Sequence, residues 1–235
     1  MDLIVIVGVG GIGSNLFQKL ARYAPINYNI LLVDGDTVEA KNIERQCFTK
    51  NDIGKNKAEC LAHKANNQLL NRFKHYPYYL ETKNMDKLAK QFESIIPRQH
   101  GKTIIFGCVD NHPTRKALEH ILSENEVMLN REWLYIDGAN ERYTGDVVSC
   151  RNSYINYKLK ISGAFRSAYD YNVMIDASND PNNSCQELLS QGDIQTLIAN
   201  DKVAVLMLEV FNNYLNGKGG CVGLWQFDAC KTMKT

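Results

Sequence analysis

The sequence predicts a doubly wound α/β fold: a mostly parallel sheet with helices on both faces, a long crossover loop, and a C-terminal helix and strand. Three observations predict it. Short apolar runs alternate with stretches of helical spacing, as buried parallel strands alternating with helices require. The first run is followed at once by glycines that open a helix. The second run ends on an acidic residue, Asp34.

The elements follow in order. Residues 3–7 form an apolar run of the length a buried strand needs, and 12–23 place Ile12, Leu16 and Leu20 four apart on one helical face. Residues 29–34 (Asn-Ile-Leu-Leu-Val-Asp) read as a second strand. Residues 55–70 read as a helix carrying Ala58, Leu61, Ala62 and Ala65 on one side, and 75–80 as a third strand. Residues 85–95 are amphipathic; 103–108 form a central strand, followed by a helix over 113–122. Two further strands are expected at 133–138 and 146–150. The pattern then breaks: residues 152–184 are polar and aperiodic, with Asp180-Pro181 and Asn182-Asn183-Ser184 as loop signals. A stretch that long without structure of its own suggests a functional or mobile loop. Helical spacing returns over 193–215, and 222–227 form a last strand. We expect one domain spanning 1–235, its crossover loop at about 152–184.

Composition excludes several classes. The 235 residues are 44% hydrophobic and 23% charged, and 27 Lys+Arg against 26 Asp+Glu leave a net charge of +1. That balance gives no electrostatic footprint for nucleic acid. With no run of 18 apolar residues and no positively charged leader, we expect neither a membrane span nor a signal peptide. The seven cysteines form no C-x-x-C pair, and the five histidines show no metal spacing along the chain, so no zinc site is expected. A reducing cytoplasm fits such cysteines.

The motifs carry the chemistry. Gly8-Val9-Gly10-Gly11-Ile12-Gly13 stands between the first strand and the first helix, the context in which G-x-G-x-x-G lets backbone N–H groups and a helix N-terminus approach phosphates. Such glycines can also serve helix–sheet packing alone. Asp34, 21 residues beyond Gly13, is placed to hydrogen-bond ribose hydroxyls. The next stretch, from Asp34-Gly35-Asp36 through Asn42 and Arg45 to Lys57, adds cations that a triphosphate needs and a hydride-transfer enzyme does not.

Taken together, G-x-G-G-I-G-S, D-x-D-x-V-x-x-x-N-I-x-R-Q and D-I-G-x-x-K-A, followed by Asp110-Asn111 with Arg115, resemble the ThiF/MoeB family of ubiquitin-activating-like adenylating enzymes. Ile136-Asp137-Gly138-Ala139, Gly145-Asp146-Val147-Val148 and Ser184-Cys185-Gln186-Glu187 occupy further places of the family pattern. The compact length looks most like the short ThiF-type proteins of bacterial mobile-element gene clusters.

The resemblance implies a Rossmann-like fold and ATP- and Mg2+-dependent adenylation of a C-terminal carboxylate. The substrate would be a small ubiquitin-fold or sulfur-carrier protein, or a peptide. It implies catalytic roles for Arg45, Lys57 and Asp110, with Asp110 holding magnesium through ATP. It implies nucleotide contacts from Gly8, Gly10, Gly11, Gly13, Asp34, Asp36, Asn42 and Asn111. Arg115 would support either the substrate tail or its own loop, and Cys185 is the candidate thiol if the adenylate is passed on. The family pairs its nucleotide domains, so a homodimer is expected. Two departures stand out: the zinc-binding cysteine pairs are missing, and no counterpart of the family's N-terminal arginine helix is expected, because the first strand starts at residue 3. Two rival readings remain: a non-catalytic ThiF-like binding module, and an NAD-dependent dehydrogenase that would keep the glycines and Asp34 but give Arg45, Lys57 and Asp110 no joint role.

Overall fold

The computed structural model describes residues 2–96, 101–140, 144–155, 158–168 and 197–228. Eight strands form one sheet in the order β3-β2-β1-β4-β5-β6-β7, with β8 also on β6. The strands are β1 (Asp2–Val7), β2 (Tyr28–Val33), β3 (Phe73–Tyr76), β4 (Thr103–Gly107), β5 (Trp133–Asn140), β6 (Thr144–Ile155), β7 (Lys158–Gly163) and β8 (Gly223–Asp228). β1 to β5 run parallel; β6, β7 and β8 are added antiparallel. The helices are α1 (Gly11–Tyr23), α2 (Lys57–Gln68), α3 (Met85–Ile95), α4 (His112–Glu124), the single turn α5 (Glu126–Leu129) and α6 (Leu197–Leu215).

The central strands β1, β2 and β4 are mostly apolar because both their faces are covered. Along β1, Ile4 and Ile6 join one core with Leu16, Leu20, Leu61 and Phe211 of α1, α2 and α6. Leu3, Val5 and Val7 join the other with Leu88 and Phe92 of α3 and Leu118 and Ile121 of α4. Period two in the strand and period 3.6 in the helices therefore meet on both sides of the sheet.

The mostly parallel, doubly wound architecture is the expected one, and the bounds of β3 and β6 are corrected. β3 lies at Phe73–Tyr76 rather than 75–80, because Pro77 has no N–H to continue a ladder and Phe73 is the residue that reaches the core. The stretch 152–163, expected to be irregular, is a hairpin: β6 continues to Ile155 and β7 pairs back along it. The sheet is wider than expected by that strand. Turns of 3-10 helix at Ala40–Asn42 and Lys50–Asp52 add structure between β2 and α2, the second closed by Asp52 accepting from Thr49 N–H at 2.6 Å. The remainder of the expected crossover loop, with Cys185, lies outside the described residues. No helix among the described residues is long and apolar enough to cross a membrane.

β2 lies on one side of β1 and β4 on the other. Strand order reverses there, and open α/β sheets hold ligands at the carboxyl ends of strands at such a switch point.

Candidate functional site

A cleft of about 390 Å³ opens at the carboxyl ends of β1, β2 and β4. Gly8, Gly10 and Gly11 line it, as do Asp34, Asp36, Asn42, Arg45, Lys57, Asp110, Asn111 and Arg115. Of the residues singled out by sequence and described in the structure, only Gly13 stands back from the lining.

The glycine loop is built by close approach. Gly8 has φ +84°, and a Cβ there would meet the Cys108 carbonyl oxygen at 2.7 Å. A Cβ on Gly13 would stand 1.9 Å from the Gly8 carbonyl oxygen. Gly13 thus serves packing: it lets α1 lie against the loop and aims the helix N-terminus into the cleft. Asn56, Asn84 and Asn111 cap α2, α3 and α4 with their side chains, whereas the N-terminus of α1, at Gly10, has no side-chain cap. Its first-turn N–H groups are left for a ligand.

Asp34 and Asp36 end β2 with different environments. Asp34 accepts from Val9 N–H at 2.7 Å and from Asp36 N–H at 2.8 Å. Burial nonetheless pushes its carboxyl above the ordinary carboxylate range, against the pull of Lys57. For Asp36 burial acts in the same direction, but hydrogen bonds from Lys57 and Tyr79 outweigh it and hold the carboxyl below the usual range. Lys57 is only 5% exposed, and its Nζ lies 2.8 Å from Asp36.

Asn56 is what brings these parts together. Its amide donates to the carbonyls of Asp34 at 2.8 Å and Asp36 at 3.1 Å, while its oxygen accepts from Glu59 N–H at 3.0 Å. One side chain therefore staples the acidic strand end to the start of α2 and fixes Lys57. Asn42 and Asn111 likewise commit their oxygens to the backbone, at Glu39 N–H (2.8 Å) and Thr114 N–H (2.9 Å).

Arg115 is buried below the loop after β4. It donates to the Val109 carbonyl at 2.7 Å and pairs with Asp137 at 3.3 Å. Asp137 is fully buried; it also pairs with Arg166 and accepts from Tyr135 Oη at 3.1 Å. Arg166 in turn reaches Asp146. This network joins the floor of the cleft to the turn after β7. Asp110 itself is exposed at the end of β4.

Three residues of the site escaped the sequence reading. Asn200 of α6 is fully buried, lines the cleft, and packs on Gly11; neither of its amide atoms has a hydrogen-bond partner in the structure. Tyr79 lays its ring over Gly35 and donates to Asp36. Asp137 was read as a strand residue only. Asn200 and Tyr79 belong to no local motif, so only chain-distant packing reveals them; Asp137 stands in the Ile136-Asp137-Gly138-Ala139 segment, but its pairing with Arg115 and Arg166 is likewise chain-distant. Among the described cysteines, burial raises the thiols of Cys47, Cys60, Cys108 and Cys150, which suits small core residues rather than nucleophiles.

These features define a doubly wound α/β protein with a ligand cleft at its topological switch point. The chain belongs to the ThiF family, whose model matches residues 3–207. It is 32% identical over 129 residues to ubiquitin-like modifier-activating enzyme 5 of Drosophila virilis, covering 53% of this chain and 31% of that protein. It is 42% identical over 60 residues to the Nedd8-activating enzyme E1 catalytic subunit of Drosophila melanogaster, covering 25% of this chain and 13% of that protein. The chain thus spans a third or less of these relatives' length. Among solved structures, PaaA superposes with a TM-score of 0.66 at 16% identity, covering 99% of this chain and 62% of that one. E. coli MccB with AMPCPP and MccA gives 0.58 at 16% identity, covering 97% and 64%.

Proposed function

We propose that the protein is an ATP- and magnesium-dependent adenylating enzyme. Its substrate would be the C-terminal carboxylate of a small ubiquitin-fold or carrier protein, or of a peptide. The observation that carries the reading is the convergence, in one cleft, of the uncapped N-terminus of α1, the cations Arg45 and Lys57, and the carboxylates Asp34 and Asp110. They come from the glycine loop, the 34–57 stretch and the end of β4. Relatives named for activating ubiquitin-like modifiers, and neighbours solved with ATP or AMPCPP, support the same reading.

In this mechanism a substrate carboxylate oxygen attacks the α-phosphorus, pyrophosphate leaves, and an acyl-adenylate remains. A C-terminal carboxylate is ionised at neutral pH and needs no base. The difficulty is the meeting of two anions, which preorganised positive charge relieves. The α1 N–H groups and the unpartnered Asn200 amide suit the phosphates, and Asp34 suits the ribose. Asp36 uses one donor of the Lys57 ammonium and leaves two for phosphate oxygens. Arg45 supplies a planar fork. Asp110, exposed at the strand end, fits a magnesium ion carried in with the nucleotide, which supplies further charge neutralisation when bound. Arg115 holds the loop that presents Asp110.

We place Cys185 after the chemistry: adenylate formation uses no thiol, so Cys185→Ala keeps pyrophosphate exchange and loses only a thioester, where one forms. A homodimer is part of the reading, with Leu197, Ile198 and Val205 exposed on α6 as apolar surface for it; light scattering checks the mass. So is a cytoplasmic setting, which supplies ATP and keeps thiols reduced.

Calorimetry with ATP·Mg2+ and with NAD tests the proposal. We expect heat with ATP alone, and Arg45→Ala or Asp110→Asn to lower substrate-dependent pyrophosphate exchange at least ~10²-fold. NAD binding without ATP binding would overturn it.

A further inference from the structure

We propose that Glu59, His63 and His75 form a binding site for one divalent transition-metal ion of the zinc type, clamping α2 to the edge strand β3. The site is separate from the nucleotide cleft, whose lining contains none of the three.

The sequence hides it, because the histidines are twelve residues apart and belong to different elements. The fold brings them together. Glu59 and His63 are four apart on α2 and share a face. His75 lies on β3, two residues after Phe73 and therefore on the same side of the strand. That side packs under α2, since Phe73 enters the core that α2 covers. The register is locked by Asn66, whose amide donates to the Phe73 carbonyl at 2.8 Å and whose oxygen accepts from Phe73 N–H at 3.1 Å. With Asn66 three residues beyond His63, this clasp sets His63 beside His75; their rings meet edge to face at 5.3 Å.

One ligand atom from each of the three residues lies within 4.8 Å of the other two. A tetrahedral ion with bonds of about 2.1 Å needs donor separations of about 3.4 Å. His63 is exposed and Glu59 and His75 are half-buried, so side-chain rotation is the movement that would close that gap. Two imidazoles and one carboxylate suit zinc, cobalt or nickel rather than magnesium or calcium, which prefer all-oxygen sites. Three protein ligands leave a fourth position for water.

The experiment titrates the full chain with Zn2+ by calorimetry, and with Co2+ by visible absorption. We expect one equivalent bound with micromolar affinity, and a melting temperature that rises with zinc and not with magnesium. Zinc affinity should fall at least tenfold, and the melting shift should shrink with it, in His63→Gln and in His75→Gln, and less in Glu59→Gln. His63 is exposed, so its variant keeps the fold even where His75→Gln does not. Equal zinc binding by wild type and His63→Gln, a thiolate-to-cobalt charge-transfer band, or no melting shift with millimolar zinc would each overturn the proposal.

Discussion

Replacing Gly13 with Ala separates two roles of the glycine loop. The new Cβ would stand 1.9 Å from the Gly8 carbonyl oxygen, 3.0 Å from its carbon, and 3.2 Å from Cys108 Cβ. Carbon and oxygen without a strong bond sit at about 3.3 Å, so about 1.4 Å must be found. The obstacle is backbone, and the neighbouring atoms are held on both sides: Gly8 N–H donates to Val33 O and Cys108 N–H to Val7 O, each at 2.8 Å. Side-chain rotation cannot absorb the clash, so α1 and its phosphate-facing turn must move away from the strand ends. Overpacking of this kind costs about 3 kcal/mol, the upper end of its range. For a chain of this length that lowers the melting temperature by roughly 6–12 °C. A shift of an ångström in groups meant to hold a ligand costs on the order of 10²-fold in function. Thermal melts and ATP·Mg2+ calorimetry on the same variant read both effects. Gly219→Ala is the control, since nothing lies within 4 Å of a Cβ there. A Gly13→Ala variant as stable as the control would refute the packing argument. One that is destabilised yet binds ATP as wild type does would show that the glycine serves packing alone.

Three further outcomes are expected. Asp137→Ala leaves Arg115 and Arg166 buried without their shared carboxylate, which should remove about 3–5 kcal/mol in urea unfolding; a loss below about 1 kcal/mol would count against the network. Asn200→Leu removes two buried polar atoms that lack partners, so the unliganded protein should gain about 1 kcal/mol while ATP affinity falls about tenfold; a variant that loses stability would show the amide to be satisfied after all. Bonds from Lys64 and Thr49 hold the Asp52 carboxyl well below its ordinary value although burial opposes them. A depressed carboxylate stabilises above its unfolded pKa of about 3.9 and loses that contribution as pH falls through the native value. Asp52→Asn should therefore cost about 1–2 kcal/mol at pH 7, with the gap to wild type narrowing below about pH 4 in melts across pH; a constant gap would refute the assignment.

The parallel half of the fold was legible because it is written in local signals. Unbroken apolar runs mark strands covered on both faces, and the glycines and Asp34 mark the turn and strand end at the switch point. The β6–β7 hairpin was not read, although Ile155, Tyr157, Leu159 and Ile161 alternate with polar residues. Asn156, Lys158 and Lys160 between them disfavour strands on propensity, and pairing along β6 overrides that preference. Part of β6's support is itself polar: Asn152 accepts from Trp133 N–H and donates to the Arg131 carbonyl, both at 2.6 Å, fixing the start of β5 from a residue that reads as loop. The cleft residues found by motif sit near one another in sequence, or at strand ends whose positions the motif dictates. Asn200, Tyr79 and the Asp137–Arg166 pair reach the site from elements whose docking no short pattern encodes.

β6 is longer than its neighbours, and its outer edge is divided between two partners. β7 pairs with residues 150–155, and β8 with 144–149. The two come from places in the chain separated by the whole crossover and α6, so the edge is finished only when a segment from beyond α6 returns to it. Until then the row of backbone donors and acceptors along 144–149 is open, and Gly145 lacks the Phe227 ring that packs over it. An open strand edge beside uncovered apolar surface is a template for pairing with another chain. Closure by β8 is therefore a kinetic safeguard as well as a packing contribution. Deleting residues 223–228 should reveal it in refolding, as concentration-dependent aggregation that appears before any large change in the melting temperature of the protein that has already folded.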